Sequence, residues 1–421
     1  MYGQFFSPLT NPRSDEYGSD IYRCTRFMTE TLRAIREKVC PEFSISIRIS
    51  GNDFVPGSCN CEDMADICEV LDRTGLLDAI SVTAGWHESA VPLISMEVPN
   101  ASFAYMGRDI KKRVSCIVAQ GMRLNIPTAE ELVECGDVDM AVLGRPFLAD
   151  PQLVEKAAAG RAEDIRPFIG CNAGCIGVAF KNQPAGCVIN AECNNENFHA
   201  DSEGRPPTEE RSEHPEKILV IGGGISGMGF ARVASRRGHK VTILEKRTRT
   251  GGSSLLAATP PRRHDIAKLD RWLSHICREL GVDIRTGCDA DESMLRAIAC
   301  QYDRIVFACG CSKITLPFPA SPEAHMVHAW DVLENKAELG KNVVVVGGGA
   351  TGVETAMFIA EIGTLTAEQL RFMMIFNAEP YEKPKQLLNT GSKHVSIVEM
   401  GHKFALDITP GCRWSIMARN K

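Results

Sequence analysis

The chain has 421 residues, 44% of them hydrophobic and 24% charged, with 47 basic against 53 acidic side chains and a formal net charge of -6. That length holds roughly two to four domains with cores of their own, and the charge, spread without a long single-sign run, argues against a nucleic-acid or acidic-membrane partner. The seventeen cysteines are scattered through apolar segments, at Cys116, Cys135, Cys277, Cys300 and Cys309 among others, which predicts reduced, buried thiols in a cytoplasm and not a disulfide framework.

The N-terminal MYGQFFSPLTNPRSDEYG has no basic segment leading into an apolar core. No run approaches the ~18 apolar residues of a membrane span, so neither secretion nor membrane insertion is expected.

From Phe43 four short β-rich runs recur: Ile45 to Ser50, Ala79 to Gly85, Ser115 to Gly121 and Met140 to Arg145. Helical patterns lie before and between them, at Arg23 to Val39, Cys61 to Thr74, Thr128 to Glu134 and Pro151 to Ala159. Near-continuous apolar strands alternating with helices predict a parallel α/β sheet. Four such units make half of a (β/α)8 barrel, which needs eight strands to close, so a chain starting at Met1 is not expected to close one alone.

Active sites of such barrels lie at the C-terminal ends of the strands. Arg48, within ISIRIS, either faces an anionic cofactor ring or is an ordinary ion-paired arginine. Gly121, Met122 and Arg123, then Gly144 and Arg145, end the last two strands, where backbone N–H groups and a helix N-terminus usually cradle phosphate. His87 and Glu88 follow AISVTAGW directly. A histidine after a strand is most often structural, yet a place on the catalytic rim and a titration range near neutrality suit proton transfer.

The run from Phe168 to Cys193, FIGCNAGCIGVAFKNQPAGCVINAEC, joins the two halves of the chain. Cys171, Cys175 and Cys187 are spaced x3 and x11 with glycines beside two of them, so short loops can gather three thiolates around one small inorganic centre. Phe168 stands where a fourth ligand would be useful. Three ligands can hold a three-iron cluster, recruit Cys193 or water, or hold nothing stable.

Residues 199–216, rich in charge, proline, serine and glycine, read as a linker. Lys217 to Ile221 is then a strand, Gly222, Gly224 and Gly227 form a G-x-G-x-x-G turn, and a helix follows through Arg237. The strand KVTILEK ends at Glu245, 23 residues beyond Gly222. Strand, glycine turn, helix and acid together make a dinucleotide site, with pyrophosphate at the helix N-terminus and ribose on the acid. Gly251 and Gly252 add a second close-approach loop, which suits FAD better than free NAD. Asn342 to Val346 repeats the pattern with Gly347, Gly349 and Gly352. Its acid, Glu399, lies 52 residues beyond Gly347 where ~20 is usual, so the intervening stretch is an excursion after the helix. Glu399 would repel a 2′-phosphate and favour NADH. Two such fingerprints imply two dinucleotides, hence hydride passage between a nicotinamide and a flavin; the other reading is one site plus a degenerate repeat.

QFFSPLTNPRSDEYG, RISGNDF, AGWHES, GDVDMAVLGRPFLADP, the cysteine run and both glycine fingerprints resemble, in order, the 2,4-dienoyl-CoA reductase group of NADH:flavin oxidoreductases, within the old yellow enzyme and trimethylamine dehydrogenase superfamily. The resemblance covers nearly all of the chain. It implies an α/β protein: the C-terminal half of a (β/α)8 FMN barrel (1–165), an iron–sulfur segment (166–198), the linker (199–216), an FAD-binding domain (217–338) and an incomplete NAD(P)-binding domain (339–421), the chain being truncated at both ends.

The resemblance also implies a relay in which NADH reduces FAD, a four-iron cluster carries single electrons and FMN delivers a hydride to an activated double bond. Arg48, Gly121, Arg123, Gly144 and Arg145 match FMN-contacting positions, His87 matches the residue assisting protonation at the α-carbon, and Cys171, Cys175 and Cys187 match three cluster ligands. The family's remaining cluster cysteine falls on Phe168, its active-site tyrosine would precede Met1, and Cys309 replaces a usual threonine. The expected activity is NADH-dependent reduction of α,β-unsaturated carbonyl compounds such as acyl thioesters by a cytoplasmic protein able to form oligomers. An amine dehydrogenase of the same superfamily and a non-catalytic electron-transfer product are the alternatives.

Overall fold

The computed structural model describes residues 2–179, 181–194, 210–314, 321 and 323–419. Two compact units, Met1–Gly160 and Arg161–Lys421, divide the chain. The predicted linker, 199–216, falls outside the described residues up to 209.

In the first unit four parallel strands, β1 (Ser46–Ser50), β2 (Ala79–Thr83), β3 (Ile117–Gln120) and β4 (Met140–Ala141), form a sheet in that order. Capping starts its helices. Asp20 accepts the Arg23 N–H ahead of Ile21–Arg36, and Asn60 with Asp63 forms a reciprocal capping box ahead of Cys61–Asp72. Asn125 and Thr128 do the same ahead of Ile126–Glu134. Each device satisfies N–H groups that the helix cannot.

The strands alternate as their pleat requires. Ile47, Ile49, Ile80 and Val82 bury into one core with Met64, Cys68 and Leu71 from the covering helix. Arg48 lies on the other face, in a cross-strand row that runs Arg48, Ser81, Ala119, Met140. This helix-free face carries Ser46, Arg48, Ser50, Ser81 and Thr83, none of them buried.

Two expectations change. The run Met140 to Arg145 is a strand only at Met140–Ala141, because Gly144 opens the helix Gly144–Ala149. Pro146, whose fixed φ and missing N–H suit a first helical turn, ends the ladder there. A further helix, Ala104–Lys111, was not anticipated; it has no side-chain cap and a glycine in its middle. The scattered thiols also differ from their predicted burial. Cys277 is buried, Cys116 is half-buried, and Cys135, Cys300 and Cys309 are exposed.

In the second unit β5 (Lys217–Ile221), β6 (Lys240–Glu245), β7 (Asp283–Thr286) and β8 (Arg304–Phe307) form a parallel sheet in the order β7-β6-β5-β8. That is the 3-2-1-4 order of a mononucleotide-binding half. The helices Ile225–Arg236 and Ala267–Glu279 cover it through Met228, Ala231, Trp272, Leu273 and Cys277. A second parallel pair joins β9 (Asn342–Val346) to β10 (His394–Val398). The excursion between them consists of the helices Ala367–Ile375 and Glu382–Asn389, placed after the crossover helix Ala350–Ala360. Among the described residues no helix is long and apolar enough to cross a membrane.

Candidate functional site

The rim of the first sheet is built from loops that bond to one another. Gly51 N–H donates to Thr83 O at 2.8 Å and Gly85 N–H to Asn52 O at 2.8 Å, which ties the loop after β2 to the loop after β1. Gly85 has φ +66°, a left-handed conformation that favours glycine, and a Cβ there would lie 2.4 Å from Leu93 Cδ1. Ser89 Oγ closes the turn by accepting the Trp86 N–H at 2.8 Å and donating to Asp53 O at 2.6 Å. His87 stands exposed on this braced turn, and beside it the buried Trp86 Nε1 has no partner among the described residues.

The two strand-end arginines meet the same upstream segment, residues 94–98. Arg123 Nε donates to Val98 O at 2.8 Å, and Arg145 Nη1 donates to Ile94 O at 2.9 Å. Between these anchors the Ser95 hydroxyl and the Glu97 Oε2 are buried without a hydrogen-bond partner among the described residues. Sequence reasoning missed Ser95 and Glu97, since nothing local marks a polar residue as buried. Met122 and Arg123 take φ values of 73° and 53°, a left-handed pair that non-glycine residues adopt at a cost of order 1–3 kcal/mol each. Gly121 N–H continues the ladder to Val82 O at 3.1 Å. Arg48 is on the helix-free face of the same sheet, and Gly144 opens a helix after β4.

In the second unit the cysteine segment folds into interlocking turns. Gly186 N–H donates to Gly174 O at 2.6 Å, and a Cβ on Gly174 would approach Val188 N to 3.0 Å. Cys187 is thereby held against the turn that carries Cys175. Burial raises the pKa of the Cys171 thiol, and the nearby thiols of Cys175, Cys187 and Cys412 raise it further. No group of three or more His, Cys, Asp or Glu side chains among the described residues is placed to hold a single metal ion. A cubane cluster asks for something else, thiolates at its separate corners, and the donor set here is of that chemistry.

The first glycine cradle forms where β5 turns into the helix at Ile225. Gly222 has φ +107°, and a Cβ on it would lie 2.4 Å from Ala308 O. A Cβ on Gly227 would lie 2.0 Å from Gly222 O, so the third glycine brings the helix against the strand. Gly224 N-caps the helix without a side-chain hydrogen bond and bridges Gly251, whose N–H donates to Gly223 O at 2.9 Å. The buried Glu245 accepts the Gly223 N–H at 2.7 Å and the Arg247 N–H at 2.8 Å.

The second cradle copies the first. Gly347 has φ +108°, and a Cβ on Gly352 would lie 1.9 Å from Gly347 O. Glu399 accepts the Gly348 N–H at 2.5 Å and the Gly401 N–H at 2.9 Å, and these bonds pull its pKa below the ordinary 4.5. One difference was not foreseen. Asp407 places both carboxylate oxygens on the Ala350 N–H, at 2.9 and 3.0 Å, at the N-terminus of the crossover helix beside Gly349.

Residues 1–164 match the NADH:flavin oxidoreductase / NADH oxidase family, residues 220–268 an NAD(P)-binding Rossmann-like domain, and residues 289–413 the pyridine nucleotide-disulphide oxidoreductases. The 1–164 match makes the first unit a domain of the NADH:flavin oxidoreductase / NADH oxidase type. It is 42% identical to a metal reductase of Desulforamulus reducens, over 99% of the chain and 62% of that protein. It is 31% identical to an NADH oxidase of Thermoanaerobacter brockii, over 99% of the chain and 59% of that protein. Among solved structures, a 2-naphthoyl-CoA reductase in complex with 2-naphthoyl-CoA is similar over 100% of the chain and 58% of its own, with a TM-score of 0.86 and 27% identity. The chain thus spans about three fifths of the length of these relatives.

The residues present fit the two dinucleotides of such an oxidoreductase. In both cradles the third glycine excludes a Cβ and so brings the helix N-terminus close against its strand, and each acid is fixed at its strand end.

Proposed function

We propose that this chain is the larger part of an NADH-dependent flavoprotein reductase of α,β-unsaturated carbonyl compounds, of the enoyl- or dienoyl-thioester type. The observation that carries the reading is the combination in one chain of a histidine-bearing strand-end rim with two complete glycine cradles, each closed by its own glutamate. The similarity to a 2-naphthoyl-CoA reductase supports the thioester class. The proposed parts are a partial FMN barrel at 1–165, an iron–sulfur segment at 166–198, a linker at 199–216, an FAD domain at 217–338 and an NAD(P) domain at 339–421. Cytoplasmic location agrees with seventeen unbridged cysteines.

The nucleotides, when bound, would supply hydride and single-electron chemistry. Gly222, Gly224, Gly227, Gly251 and Gly252 would line the FAD pyrophosphate, with Glu245 on the ribose. Gly347, Gly349, Gly352 and Glu399 would do the same for NADH. Arg48, Gly121, Arg123, Gly144 and Arg145 would hold FMN along the first sheet's C-terminal rim. His87 would deliver a proton from its ring nitrogen to the substrate α-carbon as the β-carbon is reduced. Cys171, Cys175 and Cys187 would bind the iron–sulfur centre.

The test is anaerobic. NADH should bleach the flavin absorbance of the purified protein, and an enoyl thioester should restore it. Protein that retains neither flavin after mild purification, or reduced protein inert to the thioester, removes the reading. The similarity to a metal reductase favours a second acceptor, an oxidised metal ion, and reoxidation by a chelated ferric salt but not by the thioester would select it.

A further inference from the structure

We propose that Cys412 supplies the fourth thiolate of the iron–sulfur centre, in place of the cysteine whose position Phe168 occupies. The inference rests on the iron–sulfur reading above and adds a ligand to it from a different part of the chain.

Cys412 belongs to the helix Pro410–Arg419, 240 residues beyond Asn172, and is only 4% exposed. Its Sγ lies 3.6 Å from Cys171 O, and Asn172 Nδ2 directs an amide N–H toward that sulfur at 3.9 Å. Asn172 has φ +55° and is itself buried. The approach is continuous along the neighbouring residues. Gly177 N–H donates to Asn172 O at 2.7 Å, and a Cβ on Gly177 would lie 3.3 Å from Thr409 Cγ2, so the absence of a side chain at 177 lets the 409–412 turn settle on the cysteine segment. The same segment holds Cys187 through the Gly174 and Gly186 contact.

The Cys412 thiol therefore lies on the backbone of Cys171, in the segment that also carries the reduced thiols of Cys175 and Cys187, and an iron–sulfur centre needs thiolate sulfur at each corner. An amide directed at a ligating sulfur is the kind of hydrogen bond that tunes such a centre. Cys193, the neighbour in sequence, lies in a turn whose N–H donates to Asn190 O at 3.2 Å, and its carbonyl faces Gly186.

The experiment reconstitutes the whole chain anaerobically with ferrous iron and sulfide. Iron and acid-labile sulfide per chain are measured, and low-temperature electron paramagnetic resonance spectra are recorded before and after dithionite. The proposal expects about four irons per chain for the unaltered protein, and the same for Cys193→Ser. Cys412→Ser should fall to about three or fewer, with a three-iron signal in the oxidised state, and the double variant Phe168→Cys, Cys412→Ser should return to about four. Flavin content reports folding in each variant. Cys412→Ser that keeps four irons overturns the proposal. If the unaltered chain takes up no cluster but Phe168→Cys does, the iron–sulfur reading stands and the role of Cys412 falls. If neither takes up iron, both fall together.

Discussion

Glu245 holds the backbone N–H of Gly223 at 2.7 Å with one carboxylate oxygen, while its other oxygen takes the Arg247 N–H. The side chain is fixed at the mouth of the first cradle, and an ionised carboxylate bonded on two sides still has lone pairs for a ribose hydroxyl. Glu399 repeats the arrangement on Gly348 and Gly401. Each acid is bonded to the residue between the first two glycines of its own turn, Gly223 or Gly348, so one residue ties the strand end to the glycine turn.

Replacing Glu245 by glutamine leaves a single acceptor oxygen for two backbone donors and the ribose. Charge-assisted bonds of this kind are worth ~1.5–3 kcal/mol, so FAD affinity should fall about 10- to 100-fold. Fluorescence titration of the apoprotein measures it. Unchanged FAD affinity would remove the ribose role from this residue.

Glu399 has a pH consequence. Its pKa is lowered in the fold by the Gly401 and Gly348 N–H groups from an ordinary 4.5. A depressed carboxylate stabilises the folded turn fully above 4.5, and that contribution is lost as the pH falls through the depressed value. NADH affinity should therefore hold from neutrality down to that range and then decline. Glu399→Gln should blunt the decline and raise the NADPH to NADH ratio of kcat/KM roughly tenfold, because the repulsion of a 2′-phosphate goes with the charge. Steady-state kinetics with both nucleotides decides it.

Gly227→Ala and Gly352→Ala separate the two cradles. The new methyl would meet Gly222 O at 2.0 Å in the first and Gly347 O at 1.9 Å in the second, and backbone cannot rotate away as a side chain can. Each should cost about 1–3 kcal/mol of stability. The first should deplete FAD while sparing NADH binding, and the second the reverse. Calorimetry and nucleotide titration give the two readouts. Loss of both nucleotides from either variant would mean that the cradles do not fold independently.

His87→Ala should lower turnover of an enoyl thioester by about 10²- to 10³-fold, within the usual range for a lost general acid, and leave the NADH-driven bleaching rate unchanged. The residue is exposed and its turn is held by Ser89 and Asp53 and not by the imidazole, so the variant should fold normally. Equal slowing of both half-reactions would assign His87 a structural part.

The parts legible in the sequence are those whose signal is local. KILVI and NVVVV are continuous apolar runs closed by glycine turns, and both became strands leading into crossover helices. The strand expected over Met140 to Arg145 stops early: MAVLGR looks uniformly strand-like, whereas a helical turn starts at Gly144. Ala104–Lys111 went unseen because a glycine interrupts its pattern and no capping residue announces it. The contacts of Cys412 with Cys171, and of Asp407 with Ala350, span 241 and 57 residues, and no periodicity carries information across such distances.

Asp407 supplies the last prediction. Its two oxygens on the Ala350 N–H put a negative charge where the helix N-terminus would otherwise meet a pyrophosphate. Carboxylate and pyrophosphate want the same donors, so NADH has to displace the side chain before it seats. Asp407→Asn keeps a capping oxygen but removes the charge, and two effects of opposite sign should follow. The free protein should lose about 0.3–1 kcal/mol of stability with the anionic end of the helix dipole. NADH should bind severalfold tighter, because neither repulsion nor displacement of an ion pair with the dipole opposes it. Isothermal titration with NADH and a thermal melt on the same samples measure the two together. A variant that is less stable and binds NADH no better would show that Asp407 is only a cap and that the pyrophosphate does not compete with it.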